Sequence, residues 1–196
     1  MPSLIHPVPA IVGFGHLARA GKDTAAGILV DEFGYQHLAF ADNVRAVVYE
    51  IDPDVARLVD DLGWESAKES CPVVRVALQR VGVGLRTVLG DNIWVDAAMN
   101  AIIPGRPVVI SDVRFPNEAE RIISAGGVVF RIDRPGVVPA NNHITETALS
   151  EWDGWTGIIS NDGSLDDLKD RVLDAIGRSS HADGVRNLQP PVAQIA

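Results

Sequence analysis

Residues 8–33 read VPAIVGFGHLARAGKDTAAGILVDEF, and this stretch decides the fold. Val8 to Phe14 is short, apolar and β-branched, which predicts a strand. A glycine-bearing turn follows, and Asp23 to Phe33 then shows helical spacing, so the order is strand, loop, helix. The Gly21-Lys22 end has the physics of an anion site: backbone N–H groups and a helix N-terminus surround the anion, and the lysine bridges terminal phosphates. The usual spacing G-x-x-x-x-G-K-[ST] is broken twice. His16 stands in the first glycine's place, and Asp23 replaces the hydroxyl residue, with Thr24 one later. An ordinary glycine-rich turn is the competing reading.

Outward from this stretch the pattern repeats. Tyr35 to Ala41 reads as a second short strand and Asp42 to Ile51 as a helix that Asp52-Pro53 breaks, which suggests a parallel sheet. Residues 72–103 carry helical spacing interrupted by Gly82, Gly84 and Gly90 and are expected to form two or three helices of an embedded subdomain. Pro107 to Ser111 is a continuous apolar run, the pattern of a strand buried on both faces, and it ends in Asp112. Pro116 to Ala125 reads as a helix stopped by Gly126-Gly127, and Val128 to Ile132 as a strand. Arg134 to Asn142 reads as a mobile loop, Gly157 to Ser160 as a last strand, and Ser164 to Ile176 as a helix with Asp167 closing its cap. From Arg178 the pattern is lost, so residues 178–196 are expected to be a disordered tail.

The 196 residues hold 17 Lys+Arg against 26 Asp+Glu, a net charge of −9, which argues against a general binder of nucleic acid or of anionic membranes. One cysteine, Cys71, cannot form an internal disulfide, and no Cys/His cluster has zinc-ligand spacing. There is no membrane-helix run and no signal-peptide pattern, so a cytoplasmic protein is expected. Only Lys22, Lys68 and Lys169 are lysines, which leaves arginine to handle anions.

Three further groups fall where a nucleoside-phosphate kinase needs them. Asp112, at a strand end, can hold Mg²⁺ through water, although a turn or cap aspartate would read the same way. Arg45, Arg80, Arg86, Arg114, Arg131 and Arg134 lie on separate elements and could fork onto phosphate oxygens, Arg131 and Arg134 from a lid. Asn161, after the last strand, suits a base edge, and equally an Asn-Asp-Gly turn.

The motifs ARAGKDT (18–24), FADNVR (40–45), LQRVGVGLRTVLGDNIWVD (78–96), SDVRFPNEAE (111–120), RIDRP (131–135), HITE (143–146) and IISNDGSLDDL (158–168) resemble, in the same order, the deoxynucleoside monophosphate kinases of bacteriophages. The resemblance implies a P-loop kinase domain over 1–177: a three-layer α/β/α fold with about five parallel strands, a helical acceptor-binding insert over 42–103, and a lid region over 131–150. It implies transfer of the ATP γ-phosphate to a deoxynucleoside monophosphate with Mg²⁺, in host cytoplasm for a phage protein. Gly15, Arg19, Gly21, Lys22, Asp23 and Thr24 would then hold the ATP phosphates, with Arg134 on the lid side and Asn161 near adenine. Asp23, Thr24 and Asp112 would serve the metal. Asp42, Arg45, Arg86, Trp94 and Arg114 would face the acceptor, and Lys22, Asp42, Asp112, Arg114 and Arg131 would carry catalysis. His16 and Ala20 depart from the glycine and serine usual in such loops.

His143 and Glu146 are read as a structural or lid contact, Trp152 and Trp155 as core packing, and Cys71 as a small buried apolar residue. A homodimer stays open, as do a kinase for another phosphorylated acceptor, such as dephospho-coenzyme A, and a nucleotide-binding switch.

Overall fold

The computed structural model describes residues 8–139 and 144–182. Strands β1 (Ile11–Gly15), β2 (Gln36–Leu38), β3 (Val108–Val113), β4 (Val128–Asp133) and β5 (Gly157–Ser160) form one sheet in the order β2-β3-β1-β4-β5, and every pairing is parallel. The strand from the opening stretch is therefore the central one. Its neighbours β3 and β4 lead off to opposite edges, so the order reverses at the carboxyl end of β1, where ligands of open α/β sheets bind.

Alternation along β1 assigns the layers. Val12 and Phe14 are fully buried with Ala25, Ala26 and Leu29 of α1 (Lys22–Phe33) and Leu168, Val172 and Ile176 further along the chain. Gly13 faces the other way: a Cβ placed there would lie 2.8 Å from Ile122 Cδ1. Gly127, before β4, is equally tight, with Ile122 Cγ2 at 2.8 Å. The helix bearing Ile122 can therefore press onto the sheet only where side chains are absent, and three layers result.

The second strand is shorter than expected, because Phe40 is buried and starts the next helix two residues before Asp42. The final helix continues past Arg178 to Ala182. Arg178 pairs with Asp174 one turn back and Ser179 Oγ bonds the Ala175 carbonyl, so the helical ladder does not stop where the apolar spacing does. Its cap is reciprocal: Ser164 N–H donates to Asp167 Oδ2 at 2.8 Å, and Asp167 N–H to Ser164 Oγ at 3.2 Å. The rest of the expected tail, the end of the expected loop (140–142) and His143 lie outside the described residues, as does the side chain of Glu146.

The chain divides into two compact units, residues 39–101 and the remainder. Residues 39–101 are wholly helical: α2 (Phe40–Ile51), α3 (Pro53–Leu62), α4 (Trp64–Ser70), α5 (Pro72–Leu89) and α6 (Ile93–Asn100). Val48, Val55, Val59, Ala67 and Val74 form their core, and Cys71 is half-buried against it. Gly82 and Gly84 do not break α5. A Cβ on Gly82 would meet Val44 Cγ1 at 3.6 Å, so this glycine sits at a helix contact rather than in a turn. The remaining unit completes the sheet with α7 (Pro116–Ser124), the short α8 (Ile144–Thr147) and α9 (Leu165–Ala182). Among the described residues no helix is long and apolar enough to cross a membrane.

Ile122 is fully buried where α7 meets both Gly13 and Gly127. Ile122→Ala should cost about 2–5 kcal/mol through lost burial and the cavity left behind, read as a lower urea midpoint at unchanged slope.

Candidate active site at the carboxyl edge of the sheet

The loop between β1 and α1 turns three times through left-handed backbone, at His16 (φ 90), Arg19 (φ 65) and Gly21 (φ 101). Such turns direct successive N–H groups toward one point and make an anion-binding concavity. Gly21 is also the N-terminal cap of α1, and the helix dipole adds to the same potential. Lys22 is 7% exposed and its Nζ donates to the Leu17 carbonyl at 2.5 Å, so the ammonium folds back over the loop.

Glycine is required at both ends of this loop. A Cβ on Gly15 would lie 2.8 Å from the Trp155 ring, and one on Gly21 would lie 2.4 Å from Asn161 Nδ2. Asn161 donates that amide to the Ala20 carbonyl at 2.8 Å, and its backbone N–H bonds Asp133 O at 2.7 Å. It is a strut between β4, β5 and the loop, a role its place in an Asn-Asp-Gly turn did not reveal. Trp155 sits edge-on to Trp152 at 4.7 Å, and its buried indole nitrogen has no hydrogen-bond partner among the described residues.

Asp23 and Thr24 are exposed in the first turn of α1. Ser111 Oγ donates to Asp23 Oδ1 at 2.7 Å, and His37 Nε2 lies 2.8 Å from the same hydroxyl. Because the serine proton is committed to the carboxylate, the imidazole donates, giving a chain His37→Ser111→Asp23 across β2, β3 and α1. Ser111 is 1% exposed, and nothing in its place before Asp112 marked it in the sequence. A bulge explains its position. Gly13 pairs with Ile110 and Gly15 with Val113, so β3 carries one residue more than β1 within Ser111-Asp112, at the point where the strand reaches the loop.

Beyond the bulge, Arg114 starts the turn into α7. Buried Glu118 accepts the Arg114 N–H at 2.7 Å and the Phe115 N–H at 3.0 Å, which fixes the backbone that carries Arg114. Arg131 Nε donates to Asp133 Oδ1 at 2.7 Å, and His16 Nδ1 is 3.0 Å from the same oxygen. A cleft of about 340 Å³ opens here, lined among others by His16, Ala20, Arg131, Asp133 and Arg134. Burial pushes the His16 pKa below its ordinary value, and Arg131 lowers it further, against the raising effect of Asp133.

The structure thus gathers Gly15, Arg19, Gly21, Lys22, Asp23, Thr24 and Asn161 at one loop, with Asp112, Arg114, Arg131 and Arg134 at the ends of β3 and β4. The five remaining sequence candidates, Asp42, Arg45, Arg80, Arg86 and Trp94, belong to the helical unit, where Arg80 is exposed on α5. Arg45 pairs with Asp42 at 2.7 Å and lies 4.8 Å over the Trp64 ring, while Arg86 Nε is 3.8 Å from Asp91. Trp94 lies in α6 of the same unit. It is 5% exposed and its indole N–H donates to the Gly82 carbonyl at 2.8 Å, so packing and a helix contact use most of the side chain. The Trp64 ring, which no sequence motif marks, holds the Arg45 guanidinium.

The sequence profile of the family described as deoxynucleotide monophosphate kinase matches residues 59–172, more than half of the chain. The chain belongs to the deoxynucleotide monophosphate kinase family. It is accordingly a phosphotransferase, built on an α/β fold around a five-stranded parallel sheet. Its relatives include a protein of Acanthamoeba polyphaga mimivirus named "Putative deoxynucleotide monophosphate kinase", 29% identical over 82% of this chain and 93% of that one. Another is "Uncharacterized protein ORF77" of Ictalurid herpesvirus 1, 31% identical over 82% of this chain and 68% of that one. Among solved structures, a dephospho-CoA kinase from Campylobacter jejuni overlaps 89% of this chain and 99% of its own at 12% identity and a TM-score of 0.44.

Glu118→Ala should leave two N–H groups of the β3–α7 turn without their acceptor, at a cost of about 1–3 kcal/mol. Glu118→Gln, which keeps an acceptor oxygen, should cost less, and paired denaturant melts of the two variants check this.

Proposed function

We propose that this kinase transfers the γ-phosphate of ATP to a deoxynucleoside 5′-monophosphate, giving the diphosphate and ADP. The observation that carries the reading is the loop itself: left-handed turns at residues 16, 19 and 21, the N-terminus of α1 and buried Lys22 make a site for the donor's phosphates. The cleft beside it, bounded by Arg131 and Arg134, would take the rest of the donor.

In this reading an oxygen of the acceptor phosphate attacks the γ-phosphorus in line. A bond from that oxygen to phosphorus forms, the bond to the β–γ bridging oxygen breaks, and ADP leaves with the electron pair. The acceptor oxygen is already anionic, so no strong base is needed. Lys22, Arg114 and Arg131 would neutralise charge on the transferring group. Asp42, Arg45 and Arg86 would orient the acceptor, with Arg45 held by Asp42 and by the Trp64 face.

The donor set suits magnesium, which usually takes one or two carboxylates and fills its remaining positions with water and substrate phosphate. Asp23, aimed by Ser111, Thr24 and Asp112 would hold it. When bound, it would offset charge on the donor phosphates. Such a reaction belongs in the cytoplasm, where ATP and nucleotides are available.

A coupled ADP-release assay against deoxy- and ribonucleoside monophosphates and dephospho-coenzyme A, with products identified by mass, tests the proposal. Turnover confined to deoxynucleotides supports it. Turnover with dephospho-coenzyme A alone, or ATP binding with no acceptor-dependent ADP, overturns it. Lys22→Ala should lower kcat by roughly 10²–10³-fold, as expected for removal of one preorganised charge. Ser111→Ala should raise the Mg²⁺ concentration for half-maximal rate by about tenfold, because Asp23 loses the hydroxyl that orients it.

A further inference from the structure

His16 holds a backbone conformation that glycine adopts without cost and a side chain adopts with strain, at φ 90. Its imidazole is not idle. The side chain is 12% exposed, Nδ1 lies 3.0 Å from Asp133 Oδ1, and the ring sits edge-on to Trp155 at 6.5 Å between centroids. The same Asp133 oxygen accepts Arg131 Nε at 2.7 Å, so one carboxylate oxygen joins the start of the phosphate loop to the arginine at the end of β4.

We infer that His16 is a positioning residue, which through Asp133 fixes the Arg131 guanidinium beside the phosphate loop so that loop and arginine meet the donor phosphates as one unit. The inference rests on the kinase reading above for what Arg131 does, but not for the contact itself. With Nε committed to Asp133, the two Nη groups remain as the fork for phosphate. Without His16, Asp133 would keep Arg131 but lose its tie to the loop. The strained φ is then retained because only a side chain at this position can reach Asp133.

Protonation state matters to this arrangement. Asp133 and Arg131 of β4 and Lys22 of α1 are the charged groups acting on His16, and burial with the two cations keeps the ring neutral at a pH where a free histidine would be partly charged. The neutral ring donates from Nδ1. A charged ring would stand among Arg131 and Lys22 and compete with Arg131 for Asp133. The arrangement is therefore complete above the ordinary histidine value of 6.5 and is lost as pH falls through the lower folded value, together with the stability it contributes.

The test compares the full chain with His16→Gly, Asp133→Asn and Arg131→Met. His16→Gly sets relieved strain against the lost Asp133 contact, so a melting curve first shows that it folds; it should raise KM for ATP by about tenfold and remove the acid limb of kcat/KM. Asp133→Asn should raise KM for ATP in the same way. An unchanged KM and an unchanged acid limb in His16→Gly would make His16 a mere loop filler and overturn the inference. If His16→Gly does not fold, an unchanged KM in Asp133→Asn overturns it equally. A readout free of turnover is the His16 imidazole titration followed by NMR, assigned by its loss in His16→Gly. Arg131→Met should shift this titration upward, and an unshifted curve refutes the contact even if no acceptor is ever phosphorylated.

Discussion

Everything in the larger unit depends on how closely other elements can approach β1. The central strand is covered on both faces and ends in the loop proposed to admit phosphate, so side chains are absent wherever a neighbour presses in. Gly13 yields to Ile122, Gly15 to Trp155 and Gly21 to Asn161, with virtual Cβ separations of 2.8, 2.8 and 2.4 Å respectively. These three contacts come from α7, from the segment before β5 and from the end of β5. They locate the loop in three directions, and the backbone N–H groups that would receive an anion are rigid because the elements around them are packed. Preorganisation of this kind is what phosphoryl transfer asks of a protein, since little covalent help is needed.

A second device supports the first. Serine and glutamate buried at the end of β3 have no exposed chemistry of their own, yet each orients a neighbour that does. Ser111 fixes a carboxylate oxygen of Asp23, and Glu118 fixes the peptide that bears Arg114. The bulge within Ser111-Asp112 lets one strand serve both purposes: the serine meets α1, and Val113 returns to the face of Gly13, 3.1 Å from its virtual Cβ. A regular strand would have turned the following residues to the wrong faces.

The fold was legible because its signals are local. A β-branched run before a glycine loop, an unbroken VVIS strand and a Ser164–Asp167 cap each depend on residues close in sequence, and each corresponds to the element expected of it. Boundaries slipped where a tertiary contact decided them, as at Phe40, whose burial extends α2 backward, or at Arg178, where an ion pair carries α9 onward. The candidate site was legible in its loop and in its arginines and much less so in what holds them. His37, Ser111, Asp133 and Trp64 act through partners up to 117 residues distant, as in the His16–Asp133 contact, and no spacing rule encodes such a meeting.

The acidity of the chain fits this architecture, although an enzyme for anions would be expected to be basic. With 26 acidic against 17 basic residues, the protein as a whole repels nucleotides, and long-range steering cannot bring them in. Binding must come from short-range, directed contacts. Under the proposed function Arg45 with Asp42 and Arg131 with Asp133 would be such units: an aspartate two or three residues away holds each guanidinium and leaves its other N–H groups as a fork. The pair has little net charge at a distance, so it adds little to steering. Close to a phosphate, however, the arginine has less rotamer entropy to lose, and the gain per hydrogen bond is larger. Specific recognition by geometry rather than by field is what a kinase needs when it must choose one phosphorylated metabolite among many polyanions.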